Sequence, residues 1–209
     1  MRIAIIVEGD TEKVFMPILR NFLSQRLAGK MPRLIPRTPR GQGGLIPQGK
    51  NLKRLVELTL SDRRNPVDAV IALTDVYTGS TPPVFRDADD AIRKMKEWVG
   101  KNQTKFYAHA AQYDFEAWLL PYWDDIQKLA GHNRNQPGSH PEGVNHNKPP
   151  SYHLKELFEA GKSRDSYSKT RDAKRILQGK DLMISIQKCP QLKSFVNTIL
   201  QLCDGDLIP

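Results

Sequence analysis

Cysteine is nearly missing from this chain. Cys189 and Cys203 are the only two, too few for a disulfide framework and without the second pair that a zinc site needs. They read as reduced core thiols of a cytoplasmic protein. Long hydrophobic runs are missing too. The longest near the N-terminus, Ile3 to Val7, falls far short of the ~18 apolar residues of a membrane span and leads straight into Glu8 and Asp10. That excludes a spanning segment there and argues against an export signal. No internal repeat is present. Acidic residues are in deficit: 23 Asp and Glu face 32 Lys and Arg, a net charge of +9. Such an excess favours a polyanionic partner, most often nucleic acid, although a merely soluble basic protein shows the same balance. At 39% hydrophobic and 26% charged residues the 209-residue chain has ordinary globular composition and can bury a real core.

The periodicities alternate between strand and helix. Arg2 to Val7 reads as a strand buried on both faces. Gly9-Asp10 breaks it, and Asp10 or Thr11 can cap a helix there. Val14, Phe15, Ile18, Leu19, Phe22, Leu23 and Leu27 then recur at helical spacing up to Gly29, with Pro17 inside the pattern. A short strand around Arg33 to Ile35 runs into a basic, Gly-rich loop. A helix from about Asn51 to Arg63, a strand Val67–Leu73, a helix Asp87–Val99 and a strand Lys105–Ala111 complete the series. This order predicts an α/β fold with a largely parallel sheet flanked by helices. After Asp114 the strand signal ends. Phe115–Leu120 and Asp125–Ala130 look helical, Gly131–Pro150 has no periodicity and reads as a lid, a binding loop or a disordered stretch, and helices resume from Tyr152. The expected division is an α/β domain over 1–125 and a long loop with a helical extension over 126–209, packed on the same domain.

In an open α/β sheet the ligand site lies outside the carboxyl ends of the strands. The first strand ends in Glu8, the strand Val67–Leu73 in Thr74-Asp75, and the strand Lys105–Ala111 in Tyr113-Asp114-Phe115-Glu116; Glu12 starts the first helix on the same edge. Acids gathered from several strand ends repel one another unless something positive holds them, and Mg²⁺ or Mn²⁺ serves that end with oxygen ligands. A metal on strand-end acids beside basic loops is a layout for phosphodiester chemistry. The other reading makes these acids helix caps and solvated loop residues, and Asp10 and Asp87 are best read so.

Ile5-Ile6-Val7-Glu8-Gly9-Asp10-Thr11-Glu12, followed by an apolar strand ending in Asp75, resembles the Toprim domain of topoisomerases, bacterial primases and the overcoming-lysogenization-defect nucleases. The second half departs from that pattern, with Asp75-Val76-Tyr77 where Toprim domains usually carry Asp-x-Asp. The chain more closely resembles a family of small stand-alone Toprim-like proteins of bacteria, some encoded beside ATPases, over Val7–Glu12, Asp75–Gly79, His109–Leu119 and Tyr167-Ser168-Lys169. The resemblance implies a Toprim-like fold and a Mg²⁺- or Mn²⁺-dependent nuclease acting on DNA or RNA, with an ATPase partner and a place in a bacterial defence-type system. It makes Glu8, Glu12 and Asp75 metal ligands, with Asp114 or Glu116 substituting for the acid that Tyr77 replaces. Lys169 matches the lysine placed near the scissile phosphate, where it would neutralise transition-state charge. Glu8, Asp75 and Lys169 are thus the expected catalytic residues. The alternative is a Toprim-like subunit that binds nucleic acid or an ATPase without cutting, and Tyr77 is the feature that favours it. Topoisomerase and primase activities need accessory domains for which 209 residues leave no room.

Two decoys are set aside. Gly44-Leu45-Ile46-Pro47-Gln48-Gly49-Lys50-Asn51 nearly matches a phosphate-binding loop, but Asn51 stands where a Ser or Thr hydroxyl belongs and Pro47 removes a cradle amide. The same region serves better as a backbone contact, with Arg37, Arg40, Lys50, Lys53 and Arg54 supplying charge to nucleic acid. His132, His140 and His146 fit no metal spacing and read as solvated loop residues.

Overall fold

Side-chain alternation decides the layering. In β1 (Arg2–Ile6) Ile3 and Ile5 face one side with Val7 just beyond, and Ala4 and Ile6 face the other. In β3 (Ala69–Asp75) Ile71 and Leu73 oppose Val70 and Ala72 in the same way. A strand apolar on both faces needs cover on both, which only a sheet between two helix layers provides. With β2 (Arg33–Arg37) and β4 (Phe106–Ala111) these strands form a four-stranded sheet in the order β2-β1-β3-β4, every pairing parallel. The computed structural model describes residues 1–27, 29–39, 45–77, 80–145, 148–161 and 165–209.

The crossover helix α1 (Asp10–Ser24) buries Phe15, Leu19, Phe22 and Leu23 against the Ile3–Ile5 face, one stripe at i, i+4, i+7 and i+8. It stops at Ser24, short of the expected Gly29, where the amides of Arg26 and Leu27 turn back onto the Leu23 carbonyl. Helices α2 (Lys50–Ser61) and α3 (Ala88–Val99) cover the opposite face with Leu52, Val56, Met95 and Val99.

Past β4 the continuous helix expected over Phe115–Leu120 is two 3₁₀ turns, Phe115–Trp118 and Leu120–Tyr122. Pro121 lacks the amide that would carry an α-helix through. Then come α4 (Trp123–Ala130), α5 (Pro150–Ala160), α6 (Lys169–Leu177), α7 (Met183–Lys188) and α8 (Pro190–Leu202). One hydrophobic cluster joins Ile3 and Phe15 to Trp118 and to the α8 stripe Leu192, Phe195, Val196, Ile199 and Leu200, and Trp118 stacks on Phe195 at 6.2 Å. Both cysteines are free and buried.

The segment 131–150 is partly structured. Pro141–Gly143 forms a 3₁₀ turn, Val144 is buried, and the Glu142 carboxylate accepts from Trp118 Nε1 at 3.0 Å and from the Gln191 amide at the start of α8 at 3.0 Å. Among the described residues no helix is long and apolar enough to cross a membrane.

Gly161 closes α5 where the chain passes the end of α4, and a Cβ there would lie 1.9 Å from the Ala130 carbonyl oxygen. Gly161→Ala is therefore expected to destabilise the fold by about 1–3 kcal/mol, the scale of an overpacked contact that only backbone movement relieves. Urea unfolding checks this, and an unchanged midpoint would contradict the close approach.

Candidate functional site

The chain runs from β1 outward to β2 on one side, while β3 and β4 lie on the other, so the order reverses between β1 and β3. The carboxyl ends of those two strands are the usual ligand position in such sheets. The Val7 amide still pairs with the Arg37 carbonyl at 2.9 Å, and Glu8 follows, buried, at the switch point. Its Oε1 accepts the Thr74 hydroxyl and, at 3.2 Å, the Asp75 amide, and the Ile46 amide donates to the same carboxylate. Glu8 and Asp75 are thereby neighbours across the switch point.

Three further acids close on them. Glu12, in the first turn of α1, accepts the Gly9 amide at 3.2 Å, so it also holds the entry to its own helix. Asp10, expected as a cap, instead begins α1 and pairs with Lys13 at 2.8 Å. Asp114, beyond β4, accepts the Ser151 amide on Oδ2 at 3.1 Å, while its Oδ1 is buried without a hydrogen-bond partner. Glu116 is fully buried; Tyr167 Oη and Lys169 Nζ each donate to it at 3.1 Å. Lys169 is the first residue of α6, and the preceding Ser168 amide donates to the buried Asp172, itself paired with Arg171 and Arg175. The roles of the Tyr167 hydroxyl, the Ile46 amide and Asp172 are not foreseen from the sequence. Their partners lie 51, 38 and four residues away, and only the first two distances depend on the fold.

Burial first, then mutual repulsion, sets the electrostatics. Burial lifts Glu8 to about 7, against the pull of the Thr74 hydroxyl and with the push of Glu12. It lifts Asp114 to about 7, with Glu116 adding to the rise. Glu12 is raised by burial and by Glu116, and Asp75 is raised well above the carboxylate range by burial and by Glu8, Glu12 and Asp114. Burial works against charge on Lys169, yet Glu116, Asp114 and Asp75 raise its pKa. The Lys169 ammonium acts on four of the five carboxylates, Glu12, Asp75, Asp114 and Glu116. Such a group holds protons, or it holds a cation.

The donors suit a hard divalent ion, since all are carboxylate oxygens and one of them, Asp114 Oδ1, is buried and unpaired. As they stand, no three His, Cys, Asp or Glu side chains among the described residues form a ready cage for an ion. Holding one takes a further gathering of these side chains.

Tyr77, where the resemblance expects a second aspartate, is 58% exposed, whereas Val76 before it is buried. Of the basic residues, Arg37 ends β2 and is partly buried; Lys50 opens α2, and Lys53 and Arg54 are exposed on its first turns. Arg40 lies outside the described residues, as does His146. The Gly-rich loop spends the Ile46 amide on Glu8, which leaves one amide fewer for a phosphate cradle. Gly44 of that loop is outside the described residues.

A family model described as "Domain of unknown function (DUF4276)" matches residues 7–200. No curated protein matches the chain. Among solved structures, the C-terminal region of the Burkholderia pseudomallei OLD protein is similar over 97% of this chain and 98% of that one, at 13% identity and a TM-score of 0.52. The C-terminal region of the Xanthomonas campestris pv. campestris OLD protein, phased with iodine, is similar over 97% and 95%, at 16% identity and a TM-score of 0.50. The likeness is one of fold: a parallel α/β sheet between helix layers.

Proposed function

This chain belongs to the DUF4276 family, and we propose that it is a divalent-cation-dependent nuclease that hydrolyses DNA or RNA phosphodiesters. The observation that carries the reading is the convergence of Glu8, Glu12, Asp75, Asp114 and Glu116 with Lys169 at the switch point of a parallel sheet. Glu8, Glu12 and Asp75 would hold Mg²⁺ or Mn²⁺, with Asp114 and Glu116 completing the set. Such an ion, when bound, makes a water nucleophilic and takes up charge from phosphate oxygens. The chain itself supplies Lys169, whose ammonium would offset charge gathering on the phosphate. Glu116 fixes that ammonium, and the Tyr167 hydroxyl fixes Glu116. Residues 1–125 would form the Toprim-like domain and 126–209 the helical extension packed on it. A cytoplasmic location, an ATPase partner encoded nearby and a bacterial defence role complete the reading.

The test is incubation of the purified chain with plasmid, single-stranded DNA and tRNA, with and without Mg²⁺ or Mn²⁺. Cleavage of at least one substrate that requires the cation is expected. A second reading, a subunit that binds nucleic acid or an ATPase without cutting, is favoured by Tyr77, exposed where an acid is expected. Binding without cleavage at any cation concentration would select it.

The basic segment carries its own expectation. Neutralising Arg37, Arg40, Lys50 and Arg54 together should weaken nucleic-acid binding and flatten its log–log salt dependence by about one unit for each phosphate no longer paired with a cation. An unchanged slope in a salt titration would place the binding surface elsewhere.

A further inference from the structure

We infer that Tyr77 and Tyr113 are a base-stacking platform beside the strand-end acids, which selects nucleic acid with unpaired bases. This rests on the nuclease reading and names its substrate class. The two residues sit at the carboxyl ends of adjacent strands. Tyr77 follows Asp75 by two positions and Tyr113 precedes Asp114, so each aromatic is next to an acid of the site. Their backbones are joined, the Tyr77 amide donating to the Tyr113 carbonyl at 2.6 Å, while the Val76 amide takes the Ala111 carbonyl at 3.2 Å. The β3–β4 ladder thus continues past its end around an extra residue, Gln112.

Tyr77 is exposed and Tyr113 only half-buried, so packing does not account for both rings. Tyr77 leaves 58% of its surface in water, the largest exposure among the aromatic residues of the described chain. Tyr113 has φ 69, a left-handed backbone that glycine or asparagine adopts freely and a bulky side chain adopts only under strain. Strain of this kind persists where the surroundings impose it, and it gathers at ligand sites. A strand whose phosphate reached Lys169 and Asp75 would pass the ends of β3 and β4, which would bring its neighbouring bases to these residues. Every base has a flat face that stacks on an aromatic ring, whereas a duplex keeps those faces covered. The basic residues at the same edge, Arg37 and Lys50, would serve the phosphates whatever the bases do.

The test separates bases from phosphates. Fluorescence anisotropy in EDTA, which prevents cleavage, would compare a labelled oligothymidylate, an abasic strand of the same length and charge, and a duplex. The wild-type chain should bind the oligothymidylate about tenfold or more tighter than the abasic strand. Tyr77→Ala should lower oligothymidylate affinity several-fold toward the abasic level and leave abasic affinity and salt slope unchanged, while Tyr77→Phe should bind like wild type. Tyr113→Gly should melt at the same or a higher temperature yet lose several-fold in base-dependent affinity, a combination that a structural tyrosine would not give. Equal wild-type affinity for thymidylate and abasic strands, or parallel loss of both in Tyr77→Ala, would overturn the inference alone. Absence of binding to every strand would overturn it together with the nuclease reading, and a base preference without cleavage under Mn²⁺ would overturn only the latter.

Discussion

Glu8→Gln is expected to lower cation-dependent cleavage on the order of 10³-fold or more, because it removes a charged ligand and leaves the shape intact. The glutamine oxygen can still accept the Thr74 hydroxyl and the Asp75 amide that Glu8 accepts. What disappears is a buried negative charge beside Glu12 and Asp75. With Glu8 at about 7 in the folded chain, its ionisation at pH 8 opposes folding, so the variant without cation should gain about 1–3 kcal/mol. For a chain of this size that is about 2–10 °C in melting temperature. Stabilisation by added Mg²⁺ should shrink at the same time. Loss of cleavage with a steady or raised melting temperature is the expected pair of results. Cleavage that survives, or an apo variant that melts well below wild type, would make Glu8 a structural residue.

The second large effect is in the pH dependence of stability. Glu8 and Asp114, both at about 7 in the fold, keep protons that the unfolded chain has already released, so their contribution falls as pH rises through that interval and levels off above it. Asp75, raised by burial and by Glu8, Glu12 and Asp114, acts in the same sense. His109 acts in the opposite sense. Burial holds its imidazole at about 4, the unfolded chain takes up that proton below its ordinary value of 6.5, and stability is lost as pH drops through that window. The two trends oppose each other in mild acid. Above about pH 6.5 the carboxylates act alone. In EDTA the melting temperature should therefore fall between about pH 6.5 and 8, and millimolar Mg²⁺ or Mn²⁺ should remove or reverse the fall by binding the ionised acids. A flat profile in EDTA would mean that the acids are not held against their own repulsion.

The doubly covered sheet was readable because its two central strands are apolar without a break over residues 3–6 and 69–73 and its helices are apolar at every third or fourth position. Periodicity reports burial, and burial on both faces of a strand has one common architectural solution. Glu8, Asp75, Asp114 and Glu116 followed from the same logic, since strand ends and ligand edges coincide in parallel sheets. Lys169 came through the resemblance, as no pattern in its own segment places it 3.1 Å from a buried acid. Helix ends were less legible. α1 stops early and Pro121 divides a helix into 3₁₀ turns, because caps and prolines compete with periodicity over only a few residues. The tether from Glu142 to Trp118 and α8 was not legible at all. A carboxylate in an aperiodic stretch gives no local sign of the helix N-terminus it meets in the fold.

Isothermal titration calorimetry of the wild-type chain with Mn²⁺ near pH 8, against Glu8→Gln, tests most directly whether the strand-end acids are a divalent-cation site. Saturable binding is expected in the wild type, with proton release that grows as the pH is lowered toward 7 and Glu8 and Asp114 regain their protons. Binding should be much weaker in Glu8→Gln. A folded wild-type chain that takes up no Mn²⁺ at millimolar concentration, or a Glu8→Gln chain that binds it equally well, would contradict the account.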